Sequence, residues 1–161
     1  MPTPTGLPST FVAGDILTAA NMNLIRGGFR ILQVVQATFA TAGSSTSATY
    51  ADTGLTVNIT PAANTNKILV FCNLTIFNNA ASTSCALKLL RGATTVVNNT
   101  GYAFSSGGSQ SADPTLIALD SPASTSALTY KLQFARDAGA GTVISFPNNN
   151  TGQITVMEIS A

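Results

Sequence analysis

From Arg30 onward the hydrophobic pattern of this chain repeats every second residue, and short β-branched stretches alternate with clusters of Gly, Asn, Ser and Pro. A period of two belongs to strands with one dry and one wet face, and turn residues recurring every 8–12 positions or so mark sandwiches and barrels. The alternation is cleanest over residues 127–136, where Leu128, Tyr130, Leu132 and Phe134 face one way and Thr129, Lys131 and Gln133 the other. The pattern predicts strands near 30–41, 47–51, 54–60, 66–77, 84–91, 94–97, 115–119, 126–136, 142–146 and 152–160. Asp52-Thr53-Gly54, Asn64-Thr65-Asn66, Arg91-Gly92, Asp137-Ala138-Gly139 and the run from Asn148 to Gly152 carry the Asn and Gly that tight turns require. The fold class is therefore all-β, an antiparallel β-sandwich of jelly-roll-like type.

One predicted strand departs from the two-faced pattern. Between Lys67 and Phe77, Ile68, Val70, Cys72, Leu74 and Ile76 are opposed by Leu69, Phe71 and Phe77, so both faces are apolar. A sandwich buries one face of each sheet, so the second face calls for a further layer, either a neighbouring subunit or a cover from the N-terminal segment. Residues 103–113 are the least patterned stretch of this region and are predicted to form a long surface loop.

The N-terminal stretch is different. The first twelve residues hold three prolines and no hydrophobic period, which predicts an extended arm. Over 14–28 a single short helix is expected, with Thr18 as cap, Gly27 at the left-handed position after its end, and Met22, Ile25 and Phe29 on its apolar side. Such a helix is too short to be stable alone in water and must dock on something. The chain thus divides into an anchoring segment, 1–29, and a β-sandwich domain, 30–161. Leu7, Phe11, Val12, Ile16, Leu17, Met22, Ile25 and Phe29 are the candidate residues for anchoring to a shell or to another subunit.

Composition narrows the function classes. Hydrophobic residues make up 45% of the 161 positions, enough for one core, while only 8% are charged. Seven basic against six acidic residues leave a net charge of +1, which gives no field to attract nucleic acid or anionic lipid. The longest unbroken apolar run, Ile68 to Cys72, is far short of the roughly 20 residues of a membrane-spanning helix. The opening Met1-Pro2-Thr3-Pro4-Thr5 lacks the features of a secretory signal, so synthesis in the cytoplasm is expected. Cys72 and Cys85 are read either as two buried free thiols or as a bridge across a hairpin.

Little here can carry chemistry. The chain has no His, which removes the commonest general base and transition-metal ligand. Its six acids are Asp15, Asp52, Asp113, Asp120, Asp137 and Glu158, spread along the chain and read as turn and cap residues. No phosphate-binding, dinucleotide or calcium-loop motif occurs. Asn-x-Thr triplets at Asn58, Asn73, Asn98 and Asn149 are expected by chance in so Asn- and Thr-rich a sequence. No cofactor, no metal and no enzymatic activity are expected. Of the three tyrosines, Tyr130 lies on the dry face of its strand, and Tyr102 beside the predicted loop is the candidate exposed platform for a sugar.

Several segments, in this order, resemble a family of small bacteriophage virion proteins. They are Phe11-Val12-Ala13-Gly14-Asp15-Ile16-Leu17-Thr18-Ala19-Ala20, then Thr49-Tyr50-Ala51-Asp52-Thr53-Gly54-Leu55 with Ile59-Thr60-Pro61, and Asn66-Lys67-Ile68-Leu69-Val70. Leu119-Asp120-Ser121-Pro122, Thr129-Tyr130-Lys131-Leu132-Gln133 and Ile154-Thr155-Val156-Met157-Glu158-Ile159 complete the likeness. The resemblance implies a trimeric β-sandwich on the virion surface: a capsid decoration or cement protein that contacts itself and the major capsid protein. It equally covers head fibres and tail-fibre tips, in which case the partner is a host surface glycan and Tyr102, Phe104, Ser109 and Gln110 are the candidate receptor contacts. Fibres usually carry a longer shaft before the head, which favours decoration.

Overall fold

A computed structural model describes residues 30–104 and 106–160; the predicted arm and helix, and with them all eight candidate anchoring residues, lie outside the described residues. Twelve strands follow one another: β1 (Ile31–Phe39), β2 (Gly43–Ser45), β3 (Ala51–Ile59), β4 (Lys67–Asn73), β5 (Ile76–Asn78), β6 (Ser84–Arg91), β7 (Thr94–Tyr102), β8 (Gln110–Ala112), β9 (Thr115–Asp120), β10 (Leu128–Ala138), β11 (Val143–Ser145) and β12 (Gly152–Ile159). Every pairing is antiparallel.

Two four-stranded sheets, ordered β1-β12-β4-β9 and β3-β10-β6-β7, make the sandwich. The chain runs through it as one long hairpin rolled up: β1 lies beside β12, β3 beside β10, β4 beside β9 and β6 beside β7. This is the double Greek key of a jelly roll. The third sheet, β2-β11-β5-β8, repeats the strand order of the first, each member being the chain neighbour of its counterpart. The first sheet therefore continues past a break at one level. Phe146 marks that level: fully buried, in the left-handed conformation (φ 51°), it donates its amide to the Thr75 carbonyl at 3.0 Å. Its ring stacks edge-on to Phe39 with centroids 5.5 Å apart. It also fills the space where a side chain at Gly152 would sit, since a Cβ there would lie 2.4 Å from the ring.

The core lies between the two large sheets. Leu55, Val57, Ile59, Tyr130, Leu132, Phe134, Leu87 and Leu89 face Ile68, Val70, Cys72, Leu116, Ile154 and Val156. The expected dry face of β10 is thus the centre of the core, and residues 84–91 form a strand over the predicted span. Cys72 and Cys85 are free and buried, and burial pushes both thiols up to about 12.

Four expectations are corrected. The predicted strand 47–51 does not form, since residues 47–49 are a bend and only Ala51 belongs to a strand, the first residue of β3; Asp52-Thr53-Gly54 is not a turn but a bulge within β3. Between the pairs Gln133↔Asp52 and Lys131↔Thr56 the register shifts, and the Thr53 hydroxyl replaces a ladder bond by donating to the Leu132 carbonyl at 2.8 Å and accepting from the Leu55 amide at 3.1 Å. The predicted strand 66–77 breaks at Leu74-Thr75 into β4 and β5, at the level of Phe146. The predicted loop 103–113 ends in β8, whose Gln110 pairs with Asn78. β2, three residues of Gly and Ser, has no counterpart in the hydrophobic pattern. Both β2 and β8 are edge strands held by backbone pairing, which a hydrophobic period cannot reveal.

Gly54 has φ +90°, and a Cβ there would meet the Phe39 ring at 2.4 Å. Backbone strain and overpacking each cost about 1–3 kcal/mol. Gly54→Ala should therefore lose about 2–5 kcal/mol, read as a lowered urea midpoint with an unchanged slope.

Candidate functional site

The two outward faces of the sandwich differ in kind. On the β3-β10-β6-β7 sheet the middle outward row is polar: Asn98, Lys88, Gln133 and Asp52 stand side by side across the four strands, and Thr56, Lys131 and Thr95 flank the buried Leu90 in the next. Asp52 accepts from Gln133 Nε2 at 2.7 Å and from Lys131 Nζ at 3.0 Å, and these bonds, that to Gln133 foremost, hold its carboxyl below the usual range. Tyr50 lies over Lys88, whose Nζ is 3.7 Å from the ring centre, and donates its hydroxyl to Asn98 Oδ1 at 2.6 Å. This face is built for water.

The outward face of β1-β12-β4-β9 is not. Register places Val34, Met157, Leu69 and Leu119 in one row, with Phe71 and Ile117 beside Gln36 and Thr155 in the next. Ile31, Ile159 and Lys67 close one end, and Thr38, Gln153, Asn73 and Thr115 the other. Val34, Ile117 and Leu119 are 54%, 58% and 55% exposed. Lys67, at the rim, is the one charged residue in these rows. At the polar end Phe71, Cys72, Asn73, Thr115, Gln153 and Thr155 line a dent of about 200 Å³. Asn73 Oδ1 there is buried without a hydrogen-bond partner among the described residues. The expectation of burial on both faces of β4 is therefore half met: Ile68, Val70 and Cys72 are buried, while Leu69 and Phe71 are half-buried with no layer of described residues over them.

At one end of the core the innermost row is polar. Gln33, Glu158, Ile68 and Asp120 stand side by side on the inner face. Glu158 is fully buried; its Oε1 accepts from Asn66 Nδ2 at 2.6 Å and from the Ala62 amide at 2.7 Å, and its Oε2 from Gln33 Nε2 at 2.6 Å. Burial opposes the charge, but these hydrogen bonds outweigh it and hold the carboxyl below the usual carboxylate range. Asp120 accepts from Arg91 Nη1 at 2.5 Å and from the Tyr130 hydroxyl at 2.6 Å. Burial and that carboxylate push the Tyr130 phenol upward. Reading these two acids as turn or cap residues is corrected: Glu158 is buried and Asp120 partly buried, and each is satisfied by donors from other strands or turns. No group of three or more potential metal ligands occurs among the described residues, and no helix among them is long and apolar enough to cross a membrane.

The candidate receptor-contact residues gather around the β7–β8 connection but differ in exposure. Phe104 is 53% exposed, and Ser109 and Gln110 are exposed. Tyr102, expected as the platform, instead packs half-buried against the core at the end of β7, its hydroxyl accepting from Asn99 Nδ2 at 3.1 Å. Asn78 anchors the root of this loop, donating to the carbonyls of Ala103 and Thr83. Across the small sheet, Thr75, Phe77, Ser111, Ile144, Pro147 and Asn148 are among the residues lining an open cavity of about 440 Å³. Sequence reasoning missed this cavity, because its walls come from short strands without a pattern of their own.

No protein-family model matches the chain, and no curated protein matches it. Among solved structures, a point mutant of the VP2 protein of infectious bursal disease virus in T=1 particles aligns at 11% identity and a TM-score of 0.45, covering 80% of this chain and 36% of that one. The VP2 subviral particle aligns at 12% and 0.41, covering 79% and 38%. Latent PorU of Porphyromonas gingivalis aligns at 11% and 0.34, covering 83% and 14%. The chain spans less than two-fifths of the length of the VP2 chains.

Since the folded-state pKa of Glu158 is depressed, its contribution to stability is complete above the unfolded value of about 4.3 and is lost as pH falls through the folded value. Glu158→Gln turns an amide toward three donors. At pH 7 it should cost about 2–3 kcal/mol in urea unfolding. The gap to wild type should narrow on going to pH 3; a constant gap would mean that the carboxylate does not carry this stability.

Proposed function

We propose that the chain is a structural protein of a bacteriophage particle, a decoration or cement protein that binds the head shell as a homotrimer and stabilises it. The observation that carries this reading is the pair of unlike outward faces: one charged and internally satisfied, the other apolar and uncovered among the described residues. Isolated soluble domains rarely expose a contiguous apolar face, and such a face marks an interaction surface. The resemblance of the ordered segments to small phage virion proteins supplies the setting. In this reading residues 1–29 anchor the protein to the shell or to a neighbour; an extended arm of 13 residues reaches roughly 40 Å. The work is burial, about 25 cal/mol per Å² of apolar surface, without a chemical step. The major capsid protein is the partner and the virion surface the location.

A second reading, a head- or tail-fibre module recognising a host surface glycan, is favoured by one observation. The cavity of about 440 Å³ beside β8 offers the Phe77 ring among Thr75, Ser111 and Asn148, an aromatic wall with polar groups around it.

Heating particles in the presence of a DNA-binding dye tests the first reading. Particles assembled without this protein should release their genome at a lower temperature than complete ones, and equal release temperatures would count against cementing. Adsorption of the isolated protein to host cells, lost in Phe77→Ala, would favour the glycan reading instead.

A further inference from the structure

We infer that a second copy of this chain covers the outward face of the β1-β12-β4-β9 sheet, so that this face is the contact which builds the trimer; the inference rests on the homotrimer reading above and names its surface. Three observations select this occupant. The first is the layout of the face. Val34, Met157, Leu69, Leu119, Phe71 and Ile117 form a contiguous apolar patch that crosses the sheet from edge to edge, with Ile31 and Ile159 beyond it at one end and Gln, Thr and Asn side chains at the other. A contiguous apolar patch poor in charge and bordered by uncharged polar groups matches the composition of a protein–protein contact.

The second is size. With strands about 4.8 Å apart and same-face residues about 7 Å apart, four strands by four rows give a face of about 20 Å by 20 Å, on the order of 400 Å² before side-chain relief. A stable contact takes about 800 Å² of accessible surface from each partner, which the relief of such a face and its rim can approach. The alternative cover is the helix expected within residues 14–28. At 1.5 Å rise per residue, eight or nine residues are about 13 Å long and about 10 Å wide, about a third of the face. Its three apolar side chains cannot cover the six of the patch.

The third is charge. The face carries one charged residue, Lys67, at its rim, and the whole chain has a net charge of +1. A nearly neutral face repels no part of a neighbouring copy, and a net charge near zero does nothing to keep copies apart; in a threefold ring the contact runs head to tail, this face of one copy meeting a different surface of the next. The charged residues Asp52, Lys88 and Lys131 all belong to the opposite outward face, which is left to solvent.

Sedimentation equilibrium of the full chain tests this. Wild type should run at three times the 16.4 kDa chain mass. Ile117→Lys combined with Leu119→Lys changes two side chains that are already more than half exposed and should bring the mass down to that of one chain with the far-UV circular dichroism of wild type retained. Thr95→Lys, on the opposite outward face, should leave the mass unchanged. If the double variant does not fold, Leu119→Asn alone should still weaken association at least tenfold. A double variant or Leu119→Asn that is folded and keeps the wild-type mass overturns the inference while leaving the trimer reading intact. A wild type that forms another oligomer, broken by the same substitutions, overturns the trimer and upholds the face. A monomeric wild type overturns both and assigns the cover to another occupant, such as residues 1–29.

Discussion

The register of the long sheet hangs on Glu158, the one charged residue that is fully buried among those described. A buried carboxylate is tolerated only when its oxygens are hydrogen-bonded, and here the donors come from three places: Gln33 on β1, the Ala62 amide after β3 and Asn66 before β4. All three have to be in position at once. A slip of one residue in β12 would turn Glu158 outward and bring Met157 and Ile159 into the core, so the hydrogen bonds and the hydrophobic pattern enforce the same alignment. Gln33 also donates to the Thr60 carbonyl, which ties the edge strand β1 to the turn that leaves the other sheet. The two ends of the described chain, β1 and β12, are thereby fixed side by side.

That alignment decides what the protein shows to its surroundings. With Glu158, Val156 and Ile154 inward, Met157 and Thr155 point outward, and the same alternation on β4 and β9 sends Leu69, Phe71, Ile117 and Leu119 out with them. The apolar outward face follows from the registers that close the core. The β3-β10-β6-β7 sheet obeys the same rule with a different outcome, because its alternate positions hold Asp52, Lys88, Lys131 and Gln133. A sandwich with one finished and one unfinished surface is economical for a subunit and costly for a free monomer, since apolar area left in water forgoes stabilisation that assembly would supply.

The long strands and the class of fold are legible in the sequence because a half-buried strand writes its period into it. Tyr130, Leu132 and Phe134 lie on the dry face as expected, and residues 84–91 fall on the predicted span. The doubly apolar stretch around Leu69 and Phe71 signals an uncovered layer through its residue types alone. What escapes has a common cause. β2 and β8 owe their place to backbone pairing at sheet edges, Gly54 mimics a turn while serving a bulge under the Phe39 ring, and the break at Leu74-Thr75 depends on Phe146, some seventy positions away. Each is a long-range effect, invisible to a window of neighbours. Glu158 belongs with them: its donors lie more than ninety residues away, and a lone acid in an apolar run carries no local sign of them.

A jelly roll by itself decides no function, since the same rolled hairpin serves shells, lectins and enzymes. Glu158 and Asp120 are saturated by donors inside the molecule, and burial and the Asp120 carboxylate raise the Tyr130 phenol above its usual range. The buried polar groups among the described residues hold the sandwich in shape. The unspent capacity lies outside, in a face that is apolar toward one end and, at its polar end, holds the buried Asn73 acceptor still without a donor among the described residues. A partner seated on that face would bury the exposed Val34, Ile117 and Leu119 together and bring donors within reach of the dent beside Asn73, so shape, hydrophobicity and hydrogen bonding all favour the same kind of occupant.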